Sequence, residues 1–134
     1  MSRKLKRLAL AVCVLSVALP VQAYGFQVRV SAYAADRRCT KRFHPNVTAS
    51  KHRITSQDCY RMVAFSPDLA RQFRFGDRFR LQIKHKVYTV RYQDRMPWAR
   101  RGRVDFLLPS VGSCRRFGIK RAILTPIKSE EPET

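Results

Sequence analysis

Arg78-Phe79-Arg80-Leu81-Gln82-Ile83-Lys84 alternates polar and apolar side chains without a break. A period of two puts Phe79, Leu81 and Ile83 on one face, the signature of a half-buried β-strand. Val87 to Gln93 follows after a tight connection and predicts the second arm of a hairpin. The same reading extends outward. Phe26 to Ala32 alternates in the same way. Arg61 to Ser66, Arg103 to Leu108 and Ile119 to Leu124 are short apolar runs bounded by turn residues. Ser66-Pro67 opens one helical turn over 68–73, and Pro109 to Phe117 reads as a short helix with Gly118 just past its end. Residues 36–58 carry no sustained period and read as a long excursion, and 94–102 as a polar loop. Six strands with two short helices leave no room for a βαβ repeat. A closed barrel is the economical way for so small a sheet to avoid exposed edges.

The chain has 134 residues and a formal net charge of +19. That length allows one domain and excludes two-domain enzymes and large α/β barrels. The charge implies an anionic partner. A hydrophobic fraction of 45% argues for a packed core rather than disorder.

Arg3, Lys4, Lys6 and Arg7 precede an apolar run from Leu8 to Leu19, then Pro20 and the small-residue ending Val21-Gln22-Ala23. This is the layout of a secretory signal peptide over 1–23, too short to span a bilayer comfortably. The expected organisation is therefore a leader over 1–23, a barrel over 24–127 and a frayed acidic tail over 128–134. Export to a periplasm or to the exterior makes an envelope polymer a better partner than nucleic acid. No transmembrane span is expected in the mature form, and a monomer is expected.

Removing the leader removes Cys13 and leaves Cys39, Cys59 and Cys114, an odd number. Cys39 and Cys59 flank the polar stretch 40–58. A bond between them would close a loop of about 20 residues and contribute on the order of 3 kcal/mol; Cys114 is the alternative partner for either. No CxxC and no paired histidine spacing occurs, so neither metal nor cofactor is expected. His44, His52 and His85 read as solvated loop residues. Asn46-Val47-Thr48 fits a glycosylation acceptor, and a turn at Thr48-Ala49-Ser50 explains Thr48 equally.

Two aspartates stand out against this basic background. Asp94 opens Asp94-Arg95-Met96-Pro97-Trp98, and Asp105 lies eleven residues later in Gly102-Arg103-Val104-Asp105-Phe106. This pair resembles the acids of the double-psi β-barrel proteins of cell-wall metabolism. In the rare lipoprotein A family the pattern reads N-D-R-G-P-F, then G-R-I-I-D-L-S. In the 3D-domain group, which includes membrane-bound lytic transglycosylase A, it reads D-T-G-G-A-I-K-G, then R-I-D. Upstream, Val30-Ser31-Ala32-Tyr33, Thr48-Ala49-Ser50, Val63-Ala64-Phe65-Ser66-Pro67 and Phe75-Gly76-Asp77 are similar to that barrel's other segments. The likeness runs over roughly 28–125. The departures are specific. Ser66 stands at the 3D group's first Asp, with Asp68 two residues on. The histidine of rare lipoprotein A relatives falls near Phe65 and is missing. Bulkier Met96, Pro97 and Trp98 replace the glycines between the acids.

The resemblance implies a six-stranded double-psi barrel acting on peptidoglycan or another anionic envelope polymer. Lytic transglycosylases use the substrate's own C6 hydroxyl as nucleophile, so one acid/base suffices, unlike the two-carboxylate scheme. By position Asp105 matches that acid/base, and Asp94 would orient substrate or stabilise developing positive charge. Trp98 and Tyr92 offer rings to stack on sugars, with Tyr33, Thr48, Arg95 and Arg103 completing the expected binding set. Against catalysis, alternation puts Arg103 on the face of Asp105, and a nearby cation keeps a carboxyl ionised. The rival expectation is a non-catalytic wall-binding barrel in which Asp and Arg form a structural network.

Overall fold

Six strands form where the alternation predicts them: β1 (Phe26–Tyr33), β2 (Met62–Phe65), β3 (Arg78–Ile83), β4 (Lys86–Arg95), β5 (Arg103–Leu107) and β6 (Lys120–Pro126). The computed structural model describes residues 24–40, 43–98 and 100–129. The leader at 1–23 and the acidic end of the tail, 130–134, lie outside the described residues.

The strands close into a barrel in the order β1-β5-β2-β4-β3-β6. Two neighbouring pairs, β1 with β5 and β2 with β4, are parallel, and the others are antiparallel. Exchanging β1 with β4, β2 with β5 and β3 with β6 reproduces the same ring and the same directions. The barrel is thus two interlocked three-strand halves, the double-psi arrangement, and closure leaves no free edge. No helix among the described residues is long and apolar enough to cross a membrane.

Alternation fills the interior. Val28 and Val30, Val63 and Phe65, Phe79 and Leu81, Val90 and Tyr92, Val104 and Phe106, and Leu124 form one buried cluster. Phe65 is at its centre: its ring stacks on Tyr92 at 4.4 Å and meets Phe79 edge-on at 5.1 Å. A second apolar cluster of Tyr33, Met62, Ala64 and Leu107 lies on the opposite face of the same strands, packed against Ile54 and Met96.

The helices start as their sequences dictate. α1 (Pro67–Ala70) has Pro67 in its first turn, where a missing N–H costs nothing. α2 (Val111–Phe117) begins at Ser110, whose hydroxyl accepts from Ser113 N, and stops at Gly118 with φ 66°.

The expected Cys39–Cys59 bond is not formed. Cys39 is an exposed free thiol, and Cys59 and Cys114 are half-buried free thiols. Hydrogen bonds hold the excursion instead. Thr40 Oγ1 donates toward Asp36 O and Pro45 O, Val47 bridges Arg53, and Ile54 N donates to Asn46 O at 2.7 Å. Burial pushes the Cys114 thiol up to about 11, far from a reactive thiolate.

Candidate functional site: an acid pair on the outer face of the barrel

Strand register brings the two aspartates together. Ser31 pairs with Asp105, Asp105 with Ala64, and Ala64 with Asp94. Cross-strand partners share a face, so all four form one row on the outside of β1-β5-β2-β4. Asp105 is there by plain alternation between core residues Val104 and Phe106. Asp94 is not: Val90 and Tyr92 point inward, so strict alternation would send Asp94 inward too. A bulge changes this. Val63 pairs with Tyr92 but Ala64 pairs with Asp94, leaving Gln93 as the extra residue. Such bulges re-aim side chains next to functional sites.

Asp105 is half-buried, and Ser31 Oγ donates to its Oδ1 at 3.0 Å. Burial raises its pKa to about 6; the Ser31 hydrogen bond and the Arg103 charge pull down, and Asp94 adds a smaller upward push. The expectation that Arg103 would leave Asp105 a poor acid is corrected: desolvation outweighs the cation. Arg103 Nη2 instead reaches Ser31 Oγ at 3.5 Å, and its Nε is buried with no hydrogen-bond partner.

Asp94 is clasped from the other side. Its Oδ1 accepts from Ala49 N and Arg95 N, both at 2.9 Å. The bulged Gln93 accepts from Ser50 Oγ at 2.8 Å, and Ser50 meets Thr48 Oγ1 at 2.8 Å. Thr48 is completely buried. It therefore builds the turn that holds Asp94 and is corrected from a ligand contact to a positioning residue.

Tyr33 sits one row below the acids, 4% exposed, with a buried hydroxyl that has no partner. Burial raises its pKa well above the ordinary value, and the charges of Asp94 and Asp105 add to that. Like Thr48, Tyr33 is too buried to touch a polymer, so its expected binding contact is corrected to a packing role beside the acid row. Trp98 is 91% exposed on the turn after β4, and Arg95 lies over the Phe75 ring at 4.8 Å. Asp68 is committed elsewhere: Ser66 Oγ and Gly102 N donate to its two carboxyl oxygens, bracing the start of β5.

Tyr92 is corrected outright. It is 1% exposed inside the barrel, so no face is open to a sugar. Its hydroxyl is buried without a partner. Tyr92→Phe should therefore be neutral to stabilising by up to about 2 kcal/mol in urea titrations and leave polymer binding unchanged. Weaker polymer binding at unchanged stability would return Tyr92 to the binding surface.

The sequence reading missed a second aromatic feature. Tyr60 stacks on Tyr88 at 6.3 Å with rings 17° apart, beside a cavity of about 720 Å³ lined also by Arg61, His52 and Gln93. Tyr60 is 44% exposed. It holds a left-handed backbone at φ 63°, costly for a bulky side chain, and is pinned by its N–H to Leu107 O at 2.9 Å. Tyr60 and Tyr88 are far apart in sequence, so no local pattern announces the pair. His52, expected to be solvated, is tied by Nε2 to Asp58 Oδ2 at 2.9 Å. The cavity reaches Gln93 and so ends one residue from Asp94.

Asp94 and Asp105 stand two strand spacings apart, roughly 10 Å between backbones. Among the described residues no group of three or more His, Cys, Asp or Glu side chains is placed to hold a metal ion.

No protein-family model matches the chain, and no curated protein does either. Solved structures do. An expansin from Clavibacter michiganensis matches with TM-score 0.57 at 13% identity, over 83% of this chain and 54% of its own. A point mutant of the Clavibacter michiganensis expansin, in complex with cellohexaose, matches with TM-score 0.51 at 13% identity, over 83% and 54%. A Streptomyces papain inhibitor matches with TM-score 0.54 at 13% identity, over 78% of this chain and 96% of its own. This chain therefore spans about half the length of the expansins. At such identity the likeness establishes the barrel fold.

Proposed function

We propose that this chain is an exported barrel that binds and cleaves glycan strands of the cell envelope, with peptidoglycan as substrate and Asp105 as the acid/base. One observation carries the reading: Asp105 is half-buried with its pKa raised to about 6, in the same outer row as Asp94. A general acid works best when its pKa lies near the working pH. Ser31 occupies Oδ1, leaving Oδ2 to carry the proton. Asp105 gives that proton to the glycosidic oxygen as the bond breaks. The Asp94 carboxylate stabilises the positive charge growing on the sugar. The substrate's C6 hydroxyl then attacks the anomeric carbon, and its proton returns to Asp105, so no water is consumed. Tyr60 with Tyr88 supplies a stacking surface along the adjoining cavity. The resemblance of residues 93–107 to the 3D-domain group supports the assignment of Asp105, and a carbohydrate ligand is in keeping with the solved complex of the expansin with cellohexaose, of which the match covers 54%.

A second reading is a non-catalytic wall-binding module. It is favoured by Ser66 standing where the 3D group has its first Asp, and by the use of Asp68 as a brace. Incubating the purified chain with peptidoglycan sacculi separates the two. Release of 1,6-anhydromuramyl products is the expected result. Sedimentation with sacculi but no product would leave the binding module standing and end the cleavage reading.

A further inference from the structure

The outer face of the barrel carries a line of cations next to the acids. Arg121 pairs with Arg29 across β6 and β1, and Arg29 pairs with Arg103 across β1 and β5. Three cations, Arg121, Arg29 and Arg103, thus follow one another at successive strand positions, roughly 5 Å apart. Lys84, on the turn that follows β3, lines the same groove as Arg29 and Arg121. Like charges directly opposite each other destabilise a sheet. Nothing local offsets this, because Lys84, Arg29 and Arg121 have no carboxylate partner among the described residues. The line runs through a groove of about 620 Å³ on β1, β6 and β3, which Arg101 joins from the loop before β5. No acidic residue lines the groove, and Ile123, 44% exposed, gives it an apolar patch.

We infer that this groove is a binding site for an anionic polysaccharide, laid across the strands so that successive sugar carboxylates meet successive cations. The strand spacing is close to the length of one pyranose residue in an extended glycan, so a charge on each residue finds a partner without bending the chain. A patch such as Ile123 accepts the apolar face of a sugar ring. The row continues through Arg103 to the acid pair, so a strand held here leads toward Asp105. The inference deepens the polymer-binding half of the proposed function and does not require cleavage.

The test uses the full chain with polygalacturonate as the carboxylate probe, neutral dextran as the uncharged control and duplex DNA as a phosphate polyanion. Arg29→Gln/Arg121→Gln should weaken polygalacturonate binding about tenfold to thirtyfold, near the effect of removing two cations from a polyanion contact. Relief of repulsion should keep its melting temperature equal to or above that of the parent. Arg115→Gln/Arg116→Gln, which removes the same charge from the exposed side of α2, should leave binding within about twofold. If the groove pair does not fold, Lys84→Gln/Arg101→Gln gives the same reading from loop positions. Equal losses from the groove and α2 pairs would mean diffuse charge attraction and overturn the site. So would groove-dependent binding of DNA as tight as that of polygalacturonate, or groove-dependent binding of dextran. Asp105→Asn should bind polygalacturonate like the parent, so loss of the cleavage reading and loss of this one are told apart.

Discussion

Asp105→Asn is expected to abolish release of anhydro products and, at neutral pH, to make the protein more stable. The two effects have one cause. Burial raises the Asp105 pKa from an ordinary 3.8 to about 6. Below about pH 4 the carboxyl is neutral whether the chain is folded or not, and it contributes no difference. Between about 4 and 6 the folded state holds a proton that the unfolded state has lost, so stability falls as pH rises through this window. Above about 6 the folded barrel carries the full penalty of a desolvated carboxylate. That penalty is on the order of 2 to 3 kcal/mol, at 1.4 kcal/mol per unit of pKa. Asparagine cannot ionise, and its Oδ1 can still accept from Ser31. The variant should therefore melt about 10 °C higher than the parent at pH 7.5 and within a few degrees of it at pH 4. Activity should fall by at least about a hundredfold, the usual contribution of a positioned acid/base. In the parent, cleavage should decline as pH rises past about 6, because the acid must start protonated. A variant that melts at the parent's temperature at both pH values would mean that Asp105 is an ordinary solvated carboxylate, and catalysis assigned to it would fall with that result.

Much of the barrel was readable because its strands alternate locally. Phe79, Leu81 and Ile83 were marked as inward by their neighbours alone, and Ser66-Pro67 and Gly118 marked helix boundaries by backbone chemistry. The acid pair was visible as two aspartates against a basic background. What was not readable depends on which distant strands pair. The bulge at Gln93 arises from pairing with β2, about thirty residues away, and without it Asp94 would point into the core. Tyr92 carries a usable signal, because it lies two residues from inward Val90, yet an amphipathic ring two residues from Asp94 reads equally as a surface for stacking on sugars. The balance between burial and Arg103 at Asp105 is a three-dimensional sum that residue spacing does not contain. The thiols are similar. The hydrogen bonds from Thr40, Val47, Ala49 and Ile54 that hold the excursion without a cystine are invisible in the sequence.

Phe65→Ala is expected to be the most damaging single change to the fold. Phe65 is fully buried and contacts rings on several elements: Tyr92 of β4, Phe79 of β3, and Phe73 after α1 at 6.0 Å. Truncation leaves a ring-sized void among residues that are strand-bound and cannot collapse into it. Phe→Ala at such sites costs about 3–5 kcal/mol. A domain of this size has only about 5–15 kcal/mol in total. Urea unfolding should show a midpoint lowered by a third or more of its parent value, with the slope unchanged. The damage should also reach the site, because Phe65 O accepts from Met96 N at 2.9 Å and its neighbour Ala64 separates the two acids. Phe73→Ala, at a half-buried position on the rim of the same cluster, should cost about half as much. A Phe65→Ala loss under about 1 kcal/mol would mean that the interior is not organised around this ring. The inward placement of Tyr92, and with it the outward turn of Asp94 at the bulge, would then lose its packing basis.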